Sequence, residues 1–236
     1  MKGVLRRILR RWVGTVNTMR YSVEWPRVEE ALGKIGPVGR MLDGGAGSGE
    51  YSRRVIDGGW AKEVVCYEPY PPNYAILEET LGSYDGRAVL RHEGIEALSE
   101  EDGSMDAVMC CQVLEHIERD EAVAKEFARV LKEGGHALIC VPRPPAPWPE
   151  DDHVREGYTE EALDELFVPL GMERVHTDWF LTRGTQERIL AMMERTDKGV
   201  PTLLGGAPRE VTQSAEARRA ETPYGLLGLY RKRGGS

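Results

Sequence analysis

Met41-Leu42-Asp43-Gly44-Gly45-Ala46-Gly47-Ser48-Gly49 is the stretch on which the reading of this chain turns. A short apolar run, Val38–Asp43, enters the glycine cluster, and an amphipathic segment follows over about residues 50–57 before Gly58-Gly59. The pattern predicts a strand, a tight turn and a helix. Glycines let backbone turn sharply and approach a ligand closely. The spacing is Gly45-x-Gly47-x-Gly49. A dinucleotide-binding turn needs GxGxxG, which seats a pyrophosphate on the helix N-terminus. Here Glu50 occupies the place of that last glycine. An acid at a helix start also repels a pyrophosphate. No Gly-Lys-Ser/Thr follows, so a nucleoside-triphosphate loop is excluded as well.

Outward from this turn the chain alternates. Val64-Val65-Cys66-Tyr67 predicts a strand ending at Glu68, and Pro71-Pro72 opens a helix carrying Tyr74, Ile76, Leu77 and Leu81. Ala88-Val89-Leu90 predicts a weak strand and Met105–Cys111 a buried one. Asp120–Lys132 predicts a helix stopped by Gly134-Gly135, and His136–Val141 the next strand. Strands and helices joined by short links make a parallel sheet covered on both faces. Such sheets bind ligands at the carboxyl ends of their strands. Asp43 and Glu68 each close a strand, so both are expected at one edge. Glu68 lies 19 residues past Gly49. An acid there can accept hydrogen bonds from both ribose hydroxyls of an adenosine.

With these pieces in place the sequence resembles the class I S-adenosylmethionine-dependent methyltransferases. Met41–Gly49 is similar to their first motif, hxDxGxGxG, and Val64–Pro69 to their second, with Glu68 as the ribose acid. Ser104–Val108 through Gln112–Ile117 resembles the fourth motif of small-molecule and ubiquinone-biosynthesis-type members. Leu131-Lys132-Glu133-Gly134-Gly135 is similar to the stretch before their fifth strand. The resemblance implies an α/β, Rossmann-like fold: a seven-stranded, mostly parallel sheet with helices on both faces and an antiparallel terminal strand. It also implies S-adenosylmethionine as cofactor, with Asp43, Gly45, Ala46, Gly47, Glu68, Pro69, Ile95, Glu96, Gln112 and Val113 as binding residues. One position departs. Aligning Glu96-Ala97-Leu98 places Gly94 where many relatives have the aspartate that binds the adenine amino group. Adenine is then left to the Ile95 backbone and Glu96.

The reaction expected is methyl transfer to a small-molecule acceptor, with oxygen as the acceptor atom. A general base helps where the nucleophile holds a proton of high pKa, as a hydroxyl does. His116, just after the fourth strand, and His153, in Asp151-Asp152-His153-Val154-Arg155, are the candidate catalytic residues. Their bland alternatives are a packed helix-start residue and a solvated loop residue. His92, His136 and His176 lie in or beside strands and read as structural. Tyr21, Trp25, Trp148 and Tyr158 read as an aromatic lid or as cover for core edges. Two other classes stay open: a non-catalytic S-adenosylmethionine-binding module and a nicotinamide-dependent oxidoreductase. The missing GxxG step disfavours the second.

The 236 residues carry a net charge of −8, which argues against a nucleic-acid partner. The charge is uneven. Residues 1–20 hold six basic side chains and no acid, so the rest carries −14. Val4, Leu5, Ile8, Leu9, Trp12, Val13 and Val16 form an apolar helical stripe opposite the arginines. This helix either packs on the domain or on a second copy in a homodimer, or makes a peripheral membrane contact. A second helix is predicted to open at Pro26 and stop at Gly36-Pro37. Residues 1–37 are thus expected as an N-terminal helical segment and 38–236 as the cofactor-binding domain. Cys66, Cys110, Cys111 and Cys140 sit in apolar runs without CxxC spacing, which reads as buried thiols in a cytoplasmic protein. No metal site is read from the sequence. After the proline-rich residues 142–149, the pattern predicts a helix capped by Thr159, a strand over Gly171–Leu181, helix over 184–195, a polar irregular stretch over 196–222 and a last strand over Tyr224–Tyr230.

Overall fold

A computed structural model describes residues 16–147, 152–197 and 208–234. The elements run α1 (Val16–Ile35), β1 (Val38–Gly44), α2 (Glu50–Asp57), β2 (Ala61–Tyr67), α3 (Pro71–Leu81), β3 (Ala88–Arg91), β4 (Met105–Cys111), α4 (Asp120–Val130), β5 (Leu131–Pro142), α5 (Glu160–Phe167), β6 (Met172–Phe180), α6 (Arg183–Asp197), α7 (Ala215–Ala220) and β7 (Gly225–Lys232). Seven strands form one sheet in the order β3-β2-β1-β4-β5-β7-β6. The first five are parallel, and β7 runs antiparallel to both β5 and β6. The sheet is the one the family resemblance implied.

Strand side chains alternate between faces, and this alternation divides the core in two. Met41, Val64 and Cys66 pack on one face with Val28 and Leu32 of α1, Val55 of α2 and Leu77 of α3. Leu42, Val65 and Val108 pack on the other with Phe127 of α4 and Phe167 of α5. The chain turns back at β1, which pairs with β2 on one side and β4 on the other. In an open parallel sheet, that switch point opens a crevice at the strand ends.

Three local expectations change. Pro26 lies inside α1 rather than at its start. An interior proline costs about 3 kcal/mol. Val23, Val28, Ala31 and Leu32 are fully buried on the same helix, and each large apolar side chain removed from water returns about 1.5–3 kcal/mol. Next, α4 stops at Val130 and β5 begins at Leu131, five residues earlier than expected. Lys232 Nζ donates to the carbonyls of Ala128 and Leu131 at 2.6 and 2.7 Å, so these end-of-helix acceptors are satisfied without a glycine stop. Lastly, the described part of 196–222 is ordered. Arg209–Thr212 makes a 3-10 turn, and the Ser214 side chain caps α7 through Ala217 N. Its charges are buried in pairs. Arg218 meets both Asp178 oxygens at 2.6 and 2.7 Å, and Glu210 accepts from the N–H groups of Leu181 and Thr182. The apolar stripe expected over residues 4–16 lies outside the described residues apart from Val16, as does Trp148.

Candidate active site

The carboxyl ends of β1, β2 and β4 open into a cavity of about 520 Å³. That is in the range of small-molecule and cofactor sites. All the cofactor residues read from the sequence stand on its wall except Asp43. The glycine turn is held from below, because the N–H groups of Gly45 and Ala46 both donate to the Tyr67 carbonyl, at 2.9 and 2.8 Å. Gly45 has φ +78°, and a Cβ there would stand 2.4 Å from Val113. Only glycine lets the β1 turn and the β4 turn approach this closely. Gly49 caps α2 in the left-handed region, where a Cβ would meet Leu77 at 2.7 Å.

Glu68 is 5% exposed and fixed by backbone. Its Oε2 accepts from Gly47 N and its Oε1 from Tyr70 N, both at 2.8 Å. Each carboxylate oxygen can accept more than one hydrogen bond, so this grip orients the group while leaving it able to bind hydroxyls. Asp43 behaves differently. It is buried behind the turn, where its Oδ2 accepts from the Ser52 hydroxyl at 2.5 Å. Burial, against the Ser52 hydrogen bond and with help from the Glu68 charge, pushes its carboxyl up to about 7. Asp43 therefore ties β1 to α2 rather than touching the cavity. Glu50, at the start of α2, is engaged by Arg53 and Arg54.

Beyond Glu68, Gly94, Ile95 and Glu96 all line the cavity. A side chain at Gly94 would meet Glu96 Oε2 at 2.7 Å. The Glu96 carboxylate thus reaches back to the place where relatives set their aspartate.

The other end is assembled from distant segments. Gln112 follows β4 with φ +58°, a backbone region that non-glycine residues rarely adopt. Its Nε2 donates to Glu24 Oε1 of α1 at 3.2 Å. Tyr21 of α1 lines the cavity and meets Tyr51 of α2 edge-on, with ring centroids 5.2 Å apart. His116 ends the 3-10 turn Leu114–His116 and lines the cavity. Its Nδ1 lies 3.0 Å from the Asp152 carbonyl. A carbonyl only accepts, so in the neutral ring this contact puts the proton on Nδ1 and leaves Nε2 as the acceptor. His153 stands behind it, with the two rings edge to face at 4.7 Å. Their loop is pinned on the turn. Val154 N donates to Glu115 O, and Arg155 Nη1 donates to the carbonyls of Leu114 and Ile117, both at 2.6 Å.

The described aromatics divide between the two readings, lid and cover for core edges. Tyr21 reaches the cavity and Trp25 packs against Tyr51. Tyr158 is instead a core residue, its hydroxyl donating to Asp120 Oδ2 at 2.7 Å. His92 stacks on Tyr74, and burial lowers the pKa values of His136 and His176, in keeping with structural roles. Sequence reading missed Glu24, Ser52 and Arg155. Ser52 could have been suspected as a polar residue on the buried side of a short amphipathic helix. Glu24 and Arg155 carry no local signal.

A parallel sheet with a glycine turn after β1, an acid after β2 and a cavity across β1 and β4 defines a nucleoside-cofactor site of the methyltransferase kind. Residues 42–139 match the profile of the methyltransferase-domain family. Among solved structures, an S-adenosylmethionine-dependent methyltransferase from Mesorhizobium loti is 18% identical, with 89% of this chain and 97% of that one covered at a TM-score of 0.62. Phosphoethanolamine N-methyltransferase 2 of Haemonchus contortus, in complex with S-adenosyl-L-methionine, is 14% identical at a TM-score of 0.62, covering 93% of this chain and 58% of that one. The cyclase SpnF is 18% identical at 0.64, covering 89% and 82%. At such identities the likeness is one of fold. No curated protein sequence matches the chain. Residues 42–139 form a methyltransferase domain, and the chain around it has the fold of S-adenosylmethionine-dependent methyltransferases. S-adenosylmethionine is its cofactor, and the oriented Glu68 carboxylate, the glycine turn packed on Val113 and the cavity volume fit that molecule. No helix among the described residues is long and apolar enough to cross a membrane.

Proposed function

We propose that the enzyme transfers the methyl group of S-adenosylmethionine to a hydroxyl oxygen of a small-molecule acceptor. The observation that carries this reading is the His116 imidazole on the cavity wall, with Nδ1 turned to the Asp152 carbonyl and Nε2 left as an acceptor. Bound S-adenosylmethionine supplies a methyl already activated on a sulfonium. The chain's own residues then have three tasks. Glu68 takes the ribose hydroxyls, and Gly45, Ala46, Gly47 and Pro69 shape the wall beside it. Ile95 and Glu96 take the adenine, with the Glu96 carboxylate standing in for the aspartate absent at Gly94. Gln112 and Val113 flank the reacting centre. His116, with His153 behind it, handles the proton of the acceptor hydroxyl. Proximity and exclusion of water supply much of the remaining rate. Of the N-terminal segment 1–37, the described helix α1 closes over the 38–236 domain and is tied to it through Glu24 and Gln112.

The test is methyl transfer from labelled S-adenosylmethionine to a panel of phenols, sugars and amines. Methyl ethers as products, with most of the turnover lost in His116→Ala, are expected. Transfer to amines alone overturns the oxygen assignment.

A further inference from the structure

Glu115, His116 and His153 each bring one ligand atom within 4.8 Å of the others. We propose that they form a binding site for a divalent cation of the Zn²⁺ class, at the acceptor end of the cavity. The role of that ion rests on the oxygen-transfer reading, whereas its binding does not.

Three features support the site. The first is chemistry. Two imidazoles and one carboxylate are a donor set suited to Zn²⁺ and its neighbours in the first transition row, and poor for Mg²⁺, which takes oxygen ligands. A three-residue set also leaves a coordination position for a further ligand, as in catalytic rather than structural zinc sites. The second is orientation. Metal-binding histidines usually donate their second N–H to a carbonyl or carboxylate, which fixes tautomer and ring angle. His116 does this, with Nδ1 3.0 Å from Asp152 O and 3.6 Å from Asp152 Oδ2. Its Nε2 then faces Glu115 Oε1 at 4.0 Å. Ligand atoms around one zinc stand roughly 3.3 Å apart, given bonds of about 2.1 Å. Small side-chain rotations of His116 and His153 close that difference. The third is support. Glu115 is 1% exposed, its carbonyl receives Val154 N, and Arg155 locks the histidine loop to carbonyls on either side of the turn. The cluster is thus held by one backbone bond and by the Arg155 side chain, whereas a solvated loop histidine would not be.

His116 lines the cavity, so an ion on its Nε2 has its remaining position beside the acceptor. A hydroxyl bound there ionises more easily, because the cation stabilises the alkoxide or phenolate. Its proton passes to solvent. The oxygen then forms the O–C bond as the C–S bond of the sulfonium breaks, giving the methyl ether and S-adenosylhomocysteine. With the ion bound, His116 acts on that proton through the ion it holds; without the ion, it takes the proton itself. Acceptors offering two adjacent oxygens, such as catechols or hydroxy acids, suit such a position best. No metal signal is legible in the sequence because adjacent residues 115 and 116 and a loop residue 37 positions later follow no ligand spacing.

The experiment titrates CoCl₂ into the full chain after chelation and dialysis, following the visible absorption of Co²⁺. One equivalent is expected to give a low-symmetry nitrogen–oxygen spectrum that ZnCl₂ displaces. His153→Ala, a loop substitution, is expected to weaken Co²⁺ binding about tenfold or more. Its affinity for S-adenosylhomocysteine should stay at the wild-type value, which shows that the domain is folded. No one-to-one spectrum, or one unchanged in His153→Ala, overturns the site and leaves a plain histidine–carboxylate cluster. Hydroxyl methylation at equal rates with and without chelator overturns the role of the ion and leaves oxygen transfer standing. Co²⁺ binding in a protein that methylates no hydroxyl supports the site and removes the oxygen-transfer reading instead.

Discussion

The two ends of the cavity are built in different ways. The end proposed for the ribose comes from one continuous piece of chain, Asp43 to Tyr70, and backbone groups hold it: Gly47 N and Tyr70 N on Glu68, Gly45 N and Ala46 N on the Tyr67 carbonyl. The acceptor end draws Tyr21 and Glu24 from α1, Gln112 and His116 from the turns after β4, and Asp152 and His153 from the loop after β5. Side chains make most of its ties. A backbone-held site keeps its shape while side chains change. A side-chain-held site changes its chemistry when two or three residues do. One fold can therefore keep a cofactor and vary its acceptor.

The sharpest way to break the comparison is His116→Ala. If the acceptor end works separately, turnover should fall by about 10²- to 10⁴-fold, the usual worth of a positioned acid–base group. S-adenosylhomocysteine affinity by calorimetry should hold within about twofold. A matching fall in cofactor affinity would merge the two ends. The next effect tests the floor of the ribose end. Asp43 titrates near 7 in the folded protein, against an ordinary value of 3.8. Between these values the folded state keeps a proton that the unfolded chain releases. Stability should then fall as pH rises from about 4 to 7 and level off above. The contribution is at most roughly 4 kcal/mol. Asp43→Asn cannot ionise and can still accept from Ser52, so urea denaturation should show a flatter pH profile in that variant. Parallel wild-type and variant profiles would mean that Asp43 ionises normally.

Legibility follows the same line. Residues 38–68 could be read because each feature there is local: glycine positions fix the turn, and an acid at a strand end points to the sheet edge. The Gly94 departure was visible as a gap, but the Glu96 carboxylate that fills it depends on a side-chain direction no spacing reveals. Glu24 looks like a solvated charge on a helix and is fully buried. Its partner Gln112 is 88 residues away. The polar stretch holding Glu210 and Arg218 reads as loop because charge suggests exposure, yet Asp178 and the N–H groups of Leu181 and Thr182 pair those charges inside. His116 and His153 were each legible as titratable groups. Their contact was not, since it depends on Arg155 folding one loop over the other turn.

Smaller effects sharpen the division further. Glu68→Ala removes charge-assisted hydrogen bonds worth about 1.5–3 kcal/mol. S-adenosylhomocysteine affinity should drop about 10- to 150-fold. Turnover at saturating cofactor should change far less, and a collapse of turnover with affinity intact would place Glu68 in the wrong half. The finest test is Gln112→Gly, where the two kinds of construction meet. Gln112 holds a left-handed backbone, and glycine relieves about 1 kcal/mol of that strain. The same change deletes the hydrogen bond to the buried Glu24 carboxylate, worth about 1.5–3 kcal/mol. The loss outweighs the relief, so the thermal midpoint should fall modestly. The tie between α1 and the β4 turn is lost with it. Acceptor KM should therefore rise severalfold while cofactor affinity stays put. If cofactor affinity falls instead, the left-handed turn belongs to the backbone-held half, and the boundary between the two ends runs through the hydrogen bond itself.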